Sequence, residues 1–448
     1  MYIFTGAVLA KPFRGAYTWK KKRYMVQYLV MIDVKKTING IHNWYYPVVL
    51  SIYILALFLP DIMRPGVVSA VFVILTAAAV VFKELQNAGT GGDFSLTNIA
   101  GNSSTEDIIA FLWITYNLLS GIWCVSFGMP LSVYLGELFT TALPMCFYFC
   151  GRRDSSSHRF SVNFLVSVAV IGILGVVLFI TGPKFYIDYL MRLELISKAD
   201  VPTMRVRMHS VIGSTLMGFL PTVGMLLSVR CFIESREKRS RSISAASFIL
   251  MLFLSFMSNQ RSAMAAAIII IIYLNILIFF VFNTADRRIF YGECIAIPVF
   301  AALFFFLFRD AFMKVYYRLV SLPGAIAQRS DQWVGAANNM KSIWLGNGLG
   351  ANGHRAIGFT EHLIADGGLA KLYVESGIIG TSLFIFLILL ILKRGFSRLK
   401  DTAPEVGIVL ITLLMSVDSN MMSFALSVPV FYYYMGRISG ICHGGEKT

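Results

Sequence analysis

The chain has 448 residues, 57% of them hydrophobic and only 14% charged, against about 25% charged in an ordinary soluble domain. That composition excludes a disordered chain, which would be polar and poor in aromatics, and a soluble multi-domain enzyme. The net charge of +15 would suggest nucleic acid in a soluble protein. Here the positive-inside rule accounts for most of it, and no nucleic-acid partner is expected.

Residues 1–43 form a basic N-terminal segment. Its cluster Lys20–Arg23 follows the first short apolar patch, which is the wrong order for a cleavable signal peptide. Twelve apolar runs follow, near 44–60, 67–82, 108–127, 130–149, 161–182, 209–229, 243–258, 263–282, 289–308, 371–392, 404–420 and 424–440. Each approaches the ~20 residues that cross a bilayer as a helix. They are continuous rather than alternating, which disfavours an outer-membrane barrel. The expected fold is an all-α polytopic membrane protein with about twelve transmembrane helices: spans 1–9 over residues 44–308, and spans 10–12 with the C-terminus over 371–448.

The basic clusters Lys11–Lys36, Arg152–Arg159, Arg230–Arg241, Arg287–Arg288, Lys393–Lys400 and Arg437 all fall on one side if twelve spans alternate. That side is then cytoplasmic and holds both termini. Segment 84–107 shares it, although it is slightly acidic and rich in Gly, Ser and Asn. Two longer loops face outward, about 183–208 and, between spans 9 and 10, 309–370. Both carry more Arg than outward loops should. The six cysteines, Cys124, Cys146, Cys150, Cys231, Cys294 and Cys442, lie in or beside apolar runs. They suggest neither a disulfide framework nor a zinc site, so no metal and no cofactor is expected.

Four outward arginines, Arg205, Arg207, Arg261 and Arg329, sit at or near the mouths of different spans. Guanidinium groups suit bidentate binding of phosphate oxygens, and lipid-headgroup anchoring is the alternative. Gly348-Leu349-Gly350-Ala351-Asn352-Gly353 matches G-x-G-x-x-G. A nucleotide would need a strand before it and a helix after it, which a loop between spans does not offer. Gly346, Gly348 and Gly350 can instead adopt positive φ and turn amides toward an anion, or simply form a turn. Glu361, His362 and Asp366 supply general-base chemistry nearby. Glu137, Glu293, Glu375 and Asp418 lie in or at the edges of spans, where ionisable groups mark function by default.

The stretches Trp344–Gly350, Ala365–Gly368 and Leu372–Gly380 resemble the O-antigen polymerase and ligase superfamily, with its G-x-G-x-G loop before a span opening E-x-G-I-x-G. Arg207-x10-Gly218 is similar to the R-x10-G pattern of Wzy-type polymerases, and Ser258-Asn259-Gln260-Arg261-Ser262 resembles the family's serine–arginine segment at a span mouth. Arg329 to Gly346 is one residue longer than the family's R-x15-G. Ligases usually carry His-Asn nine residues before the glutamate. Here that position is Asp366-Gly367, as in many polymerases.

The resemblance implies an enzyme of the bacterial inner membrane that moves a growing glycan from undecaprenyl diphosphate to a new lipid-linked repeat unit on the outer face. Its catalytic loop would be 309–370. Its partners would be undecaprenyl-diphosphate-linked oligosaccharides and membrane lipid, with a chain-length regulator and a flippase alongside. Arg205, Arg207, Arg261, Arg329, Gly346, Gly348 and Gly350 would hold the diphosphate, and Asp366, His362 or Glu361 would take the proton. The alternatives are an O-antigen ligase acting on lipid A-core and a lipid-linked-oligosaccharide flippase or other transporter, although no internal repeat of the transporter kind is visible.

The topology is testable by single-cysteine labelling in intact spheroplasts. An impermeant maleimide should reach Arg355→Cys and spare Arg239→Cys. Labelling at 239 would overturn the orientation.

Overall fold

The computed structural model describes residues 40–89, 104–154, 157–192, 196, 207–281, 313, 316, 317 and 320–444. Arg205, Glu293, Cys294 and the run 289–308 lie outside them. All the helices below belong to one unit, His42–Thr448; of Met1–Ile41, only residues 40 and 41 are described.

Among the described residues every regular element is helical and none is a strand. In order come α1 (Tyr45–Phe58), α2 (Pro65–Gly89), α3 (Thr105–Ser126), α4 (Leu131–Glu137), α5 (Cys146–Arg153), α6 (His158–Thr181), α7 (Lys184–Arg192) and α8 (Ser214–Glu234). Then follow α9 (Lys238–Met257), α10 (Arg261–Ile276), α11 (Leu322–Asn338), α12 (Gly368–Ser397), α13 (Leu399–Asp418) and α14 (Val428–Gly444). Among the described residues nine helices are long and apolar enough to cross a membrane. They are α1, α2, α3, α4 running on into α5, α6, α8, α9, α10 with its last turn, and α12. The protein is thus a polytopic helical membrane protein. Helices α13 and α14 cover the last two predicted runs and are buried along most of their length.

Helix α6 shows why the bundle suits lipid. Phe164, Val168 and Ile171 are buried, while Val166, Val170, Ile173 and Val177 on the other faces are exposed. A helix that is apolar all round is not built to face water.

Ion pairs tie the helix ends together at one end of the bundle. Arg152 pairs with Asp107, Arg394 with Glu106, and Arg230 with Glu234 and the buried Glu405. This gives the acidic character near the end of segment 84–107 a reason. Glu106 and Asp107 neutralise arginines of α12 and α5 at the same end, which follows once α2 is a full-length helix.

The opposite end carries the outward-predicted segments, and a broken helix organises it. Within α12, Gly377 has φ 60° and ψ −167°. The carbonyls of Val374 and Glu375 would serve the amides of 378 and 379 in an unbroken helix. Instead they accept from the amides of Asn347 and Gly348, both at 2.9 Å. The amides of Ile378 and Ile379 donate to the carbonyls of Ile343 (2.9 Å) and Trp344 (3.1 Å). The Tyr116 hydroxyl lies 2.9 Å from the Leu345 carbonyl and 2.7 Å from that of Ser376, closing the join from α3. Non-helical backbone at membrane depth is tolerated only where its polar groups are satisfied within the protein, and here they are.

The join leaves no room for a side chain at Gly346. Its φ is +73°, and an added Cβ would overlap the Glu375 carbonyl. Gly346→Ala should therefore break the join, at a cost of up to about 4 kcal/mol for four backbone hydrogen bonds at about 1 kcal/mol each. Gly335→Ala, on α11 with open space around it, should be neutral or stabilising by about 0.5–1 kcal/mol. Thermal unfolding in detergent checks the pair, and equal midpoints for both variants would contradict the packing.

Candidate active site

Four charged groups meet where α12 passes α4. Lys371 Nζ pairs with Glu137, lies 3.7 Å from Glu375 one turn along its own helix, and donates to Ser423 Oγ at 2.7 Å. Thr141 Oγ1 donates to Glu137 at 2.9 Å, and half-exposed Arg355 brings Nε to 3.8 Å from its other oxygen. Lys371, Glu137 and Glu375 are each no more than 3% exposed. Two cations against two carboxylates make the set neutral, which is the condition for burying charge at all. The composite helix leaves α geometry just after Glu137, through a π-helical turn at Leu138–Ala142 before Pro144. Proline cannot donate there.

A second ionic group lies beside α11. Arg329 donates to Asp366 Oδ2 at 2.8 Å and pairs with Asp418, while Trp333 Nε1 donates to the Asp366 carbonyl at 2.7 Å. Arg329 is thus held between two carboxylates. Asp366 serves this arginine and ties the 365–368 segment to α11 and α13. Arg261 lies close enough to Arg329 for the two guanidiniums to repel, and its Nη1 donates to the Ser321 carbonyl at 3.2 Å. Arg207 precedes Met208, whose amide donates to the Met257 carbonyl, and so sits beside the turn that leads to Arg261. Gly218 packs on that same turn, against Ser258, Gln260 and Ala263. The structure therefore brings Arg207, Arg261 and Arg329 to one end of the bundle; Arg205 is outside the described residues.

The glycine loop spends its amides internally. Gly346 donates to the Ser342 carbonyl at 2.7 Å, Gly348 to Glu375, and Gly350 points its amide at the Glu375 carboxylate. At its centre is Asn352, 1% exposed, with every polar group engaged. Its amide donates to Glu375 Oε1 (3.1 Å) and its carbonyl accepts from Ile364 (2.8 Å). Its side chain accepts from Asn347 (2.9 Å) and donates to the His362 carbonyl (2.7 Å).

Between this loop and the turn linking α3 to α4 lies a cavity of about 310 Å³, whose lining includes Phe127, Lys341, Phe359, Glu361 and His362. Two of the three predicted bases thus share one cavity, while Asp366 is engaged elsewhere. Lys371 escaped the sequence reading because one lysine barely lowers the hydropathy of a long apolar run. The available signal was the spacing Lys371-x3-Glu375, which puts both groups on one helix face.

Among the described residues, no group of three or more His, Cys, Asp or Glu is placed to hold a metal ion. No family model and no curated protein matches the chain.

Removing the buried ammonium should be costly. Lys371→Met leaves Glu137 and Glu375 without their shared partner, a loss of roughly 3–5 kcal/mol. Lys371→Met/Glu137→Gln should recover part of it. Thermal midpoints in one detergent compare the three proteins, and a Lys371→Met midpoint equal to that of the parent would contradict the buried pairing.

Proposed function

We propose that the protein is a membrane glycosyltransferase of the O-antigen polymerase kind. It transfers a growing glycan from undecaprenyl diphosphate to a lipid-linked repeat unit at the outer face of the bacterial inner membrane. The observation that carries this reading is that the segments bearing the family resemblance meet each other in space. The Trp344–Gly350 loop exchanges backbone hydrogen bonds with the Glu375–Gly377 break, and Gly218 packs on the Ser258–Ser262 turn. Motifs arising by chance in apolar sequence would have no reason to do so.

The chemistry asks for cations where the diphosphate departs and a base where the hydroxyl attacks. The acceptor oxygen bonds to the anomeric carbon, and the carbon–oxygen bond to diphosphate breaks with its electron pair on the leaving group. Arg207 and Arg261 at the span mouths supply positive charge for that departure. Glu361 or His362 takes the hydroxyl proton. Arg329, between two carboxylates, orders the 365–368 segment in this scheme.

A transporter of lipid-linked oligosaccharides is the second reading. The buried Lys371–Glu137–Glu375 cluster favours it, since ionisable groups inside spans mark transport paths.

Purified protein given lipid-linked repeat units alone should produce a ladder of longer glycans. Transfer only after lipid A-core is added would make it a ligase, and no covalent product would favour the transporter. Arg207→Lys and Arg261→Lys keep the charge but lose the planar fork. Each should slow polymerisation about ten- to hundredfold, as expected for loss of a charged hydrogen bond of roughly 1.5–3 kcal/mol. Full ladders from both Lys variants at matched protein levels would place the diphosphate elsewhere.

A further inference from the structure

The cavity beside the glycine loop has a chemistry distinct from that of the arginine cluster. Its wall offers Lys341, which only donates hydrogen bonds, Glu361, which when ionised only accepts them, and His362, which does either. Lys341 and Glu361 are both exposed. Phe127 and Phe359 are 37% and 56% exposed, leaving ring surface open to a ligand. A volume of about 310 Å³ is at the small end for ligand sites, roughly 300–1,000 Å³, which combine apolar walls with a few placed polar groups. Glu361 offsets the charge of Lys341, so this wall offers a diphosphate no net positive charge, unlike the arginine cluster. A sugar ring carries hydroxyls that both donate and accept, and it has apolar faces that cover aromatic rings.

Position supports the same occupant. Phe127 belongs to the turn between α3 and α4, where two spans end, so the cavity lies level with the mouth of the bundle. A lipid-linked sugar would sit at that level. The wall bearing Glu361 and His362 is fixed by Asn352, itself part of the lining, which holds the His362 carbonyl and the Ile364 amide while its own amide rests on Glu375.

We propose that this cavity binds the acceptor sugar whose hydroxyl attacks, and that Asn352 and Glu375 are positioning residues for its Glu361–His362 wall. This rests on the glycosyltransferase reading.

Saturation-transfer NMR on the purified full chain in detergent tests it. The probes are the methyl glycosides of glucose, galactose, mannose, rhamnose and N-acetylglucosamine, with inorganic pyrophosphate as competitor. At least one glycoside should receive saturation, and Phe359→Ala and Glu361→Ala, both at exposed side chains, should abolish it. Arg261→Lys should retain it, and pyrophosphate should not compete. Glu375→Ala should weaken sugar affinity about tenfold, equivalent to ~1.4 kcal/mol. Glu375→Gln, which loses the same charge but keeps an acceptor for the Asn352 amide, should restore it. Absence of binding by every glycoside, binding unchanged in Phe359→Ala and Glu361→Ala, or displacement by pyrophosphate would overturn the site. Equal affinities in Glu375→Ala and Glu375→Gln would overturn the positioning role. Sugar binding without glycan extension would refute the polymerase reading and leave the sugar site standing. A ladder from a protein that binds none of the glycosides would do the reverse.

Discussion

The loop end of this protein depends on an exchange of backbone hydrogen bonds. Gly377 breaks α12 near its start, and the carbonyls and amides released by the break are taken up by residues 343–348. A polar backbone group left unpaired in a membrane protein's interior costs several kcal/mol, so the loop and the helix need each other. The exchange places Glu375 under the glycine loop. Glu375 then receives the Asn352 amide, and Asn352 carries the constraint on to the wall that holds His362. Glycine is required at Gly346 and Gly377 because the two backbones touch there.

Charge is handled differently at the two ends. At one, the partly buried Arg152, Arg230 and Arg394 find carboxylates on neighbouring helices, which pins the helix ends in register. At the other, the cations divide. Lys371 and Arg329 are committed to carboxylates inside the protein, whereas Arg207 and Arg261 stand at the mouths of spans. Such a division suits a site that must be rigid and still present positive charge to a ligand. Under the proposed function, the buried lysine would stiffen the floor and the outer arginines would face the diphosphate.

Much of the fold was legible because hydropathy is additive along the chain. The runs at 108–127, 161–182 and 371–392 coincide with α3, α6 and α12 to within a few residues. The role of Glu106 and Asp107 in the first turn of α3 was not legible, because their partners Arg394 and Arg152 lie far along the sequence. The candidate site was legible in part. The glycine loop and the E-x-G segment stood out as patterns, but no pattern says that their amides and carbonyls pair with each other. Asp366, His362 and Glu361 lie within six residues, and sequence could not separate them. The side chain that meets Arg329 and those that face a cavity differ only in backbone direction. Lys371 was hidden by the apolar residues around it.

Residue-resolved hydrogen exchange at the amides of Asn347, Gly348, Ile378 and Ile379, with the protein in nanodiscs, tests the organising interaction most directly. If the loop and the broken helix share their hydrogen bonds, these four amides should exchange as slowly as those in the middle of α12, and together. Fast exchange at Asn347 and Gly348 beside slow exchange at Ile378 and Ile379 would mean a continuous helix with a detached loop, and would contradict it.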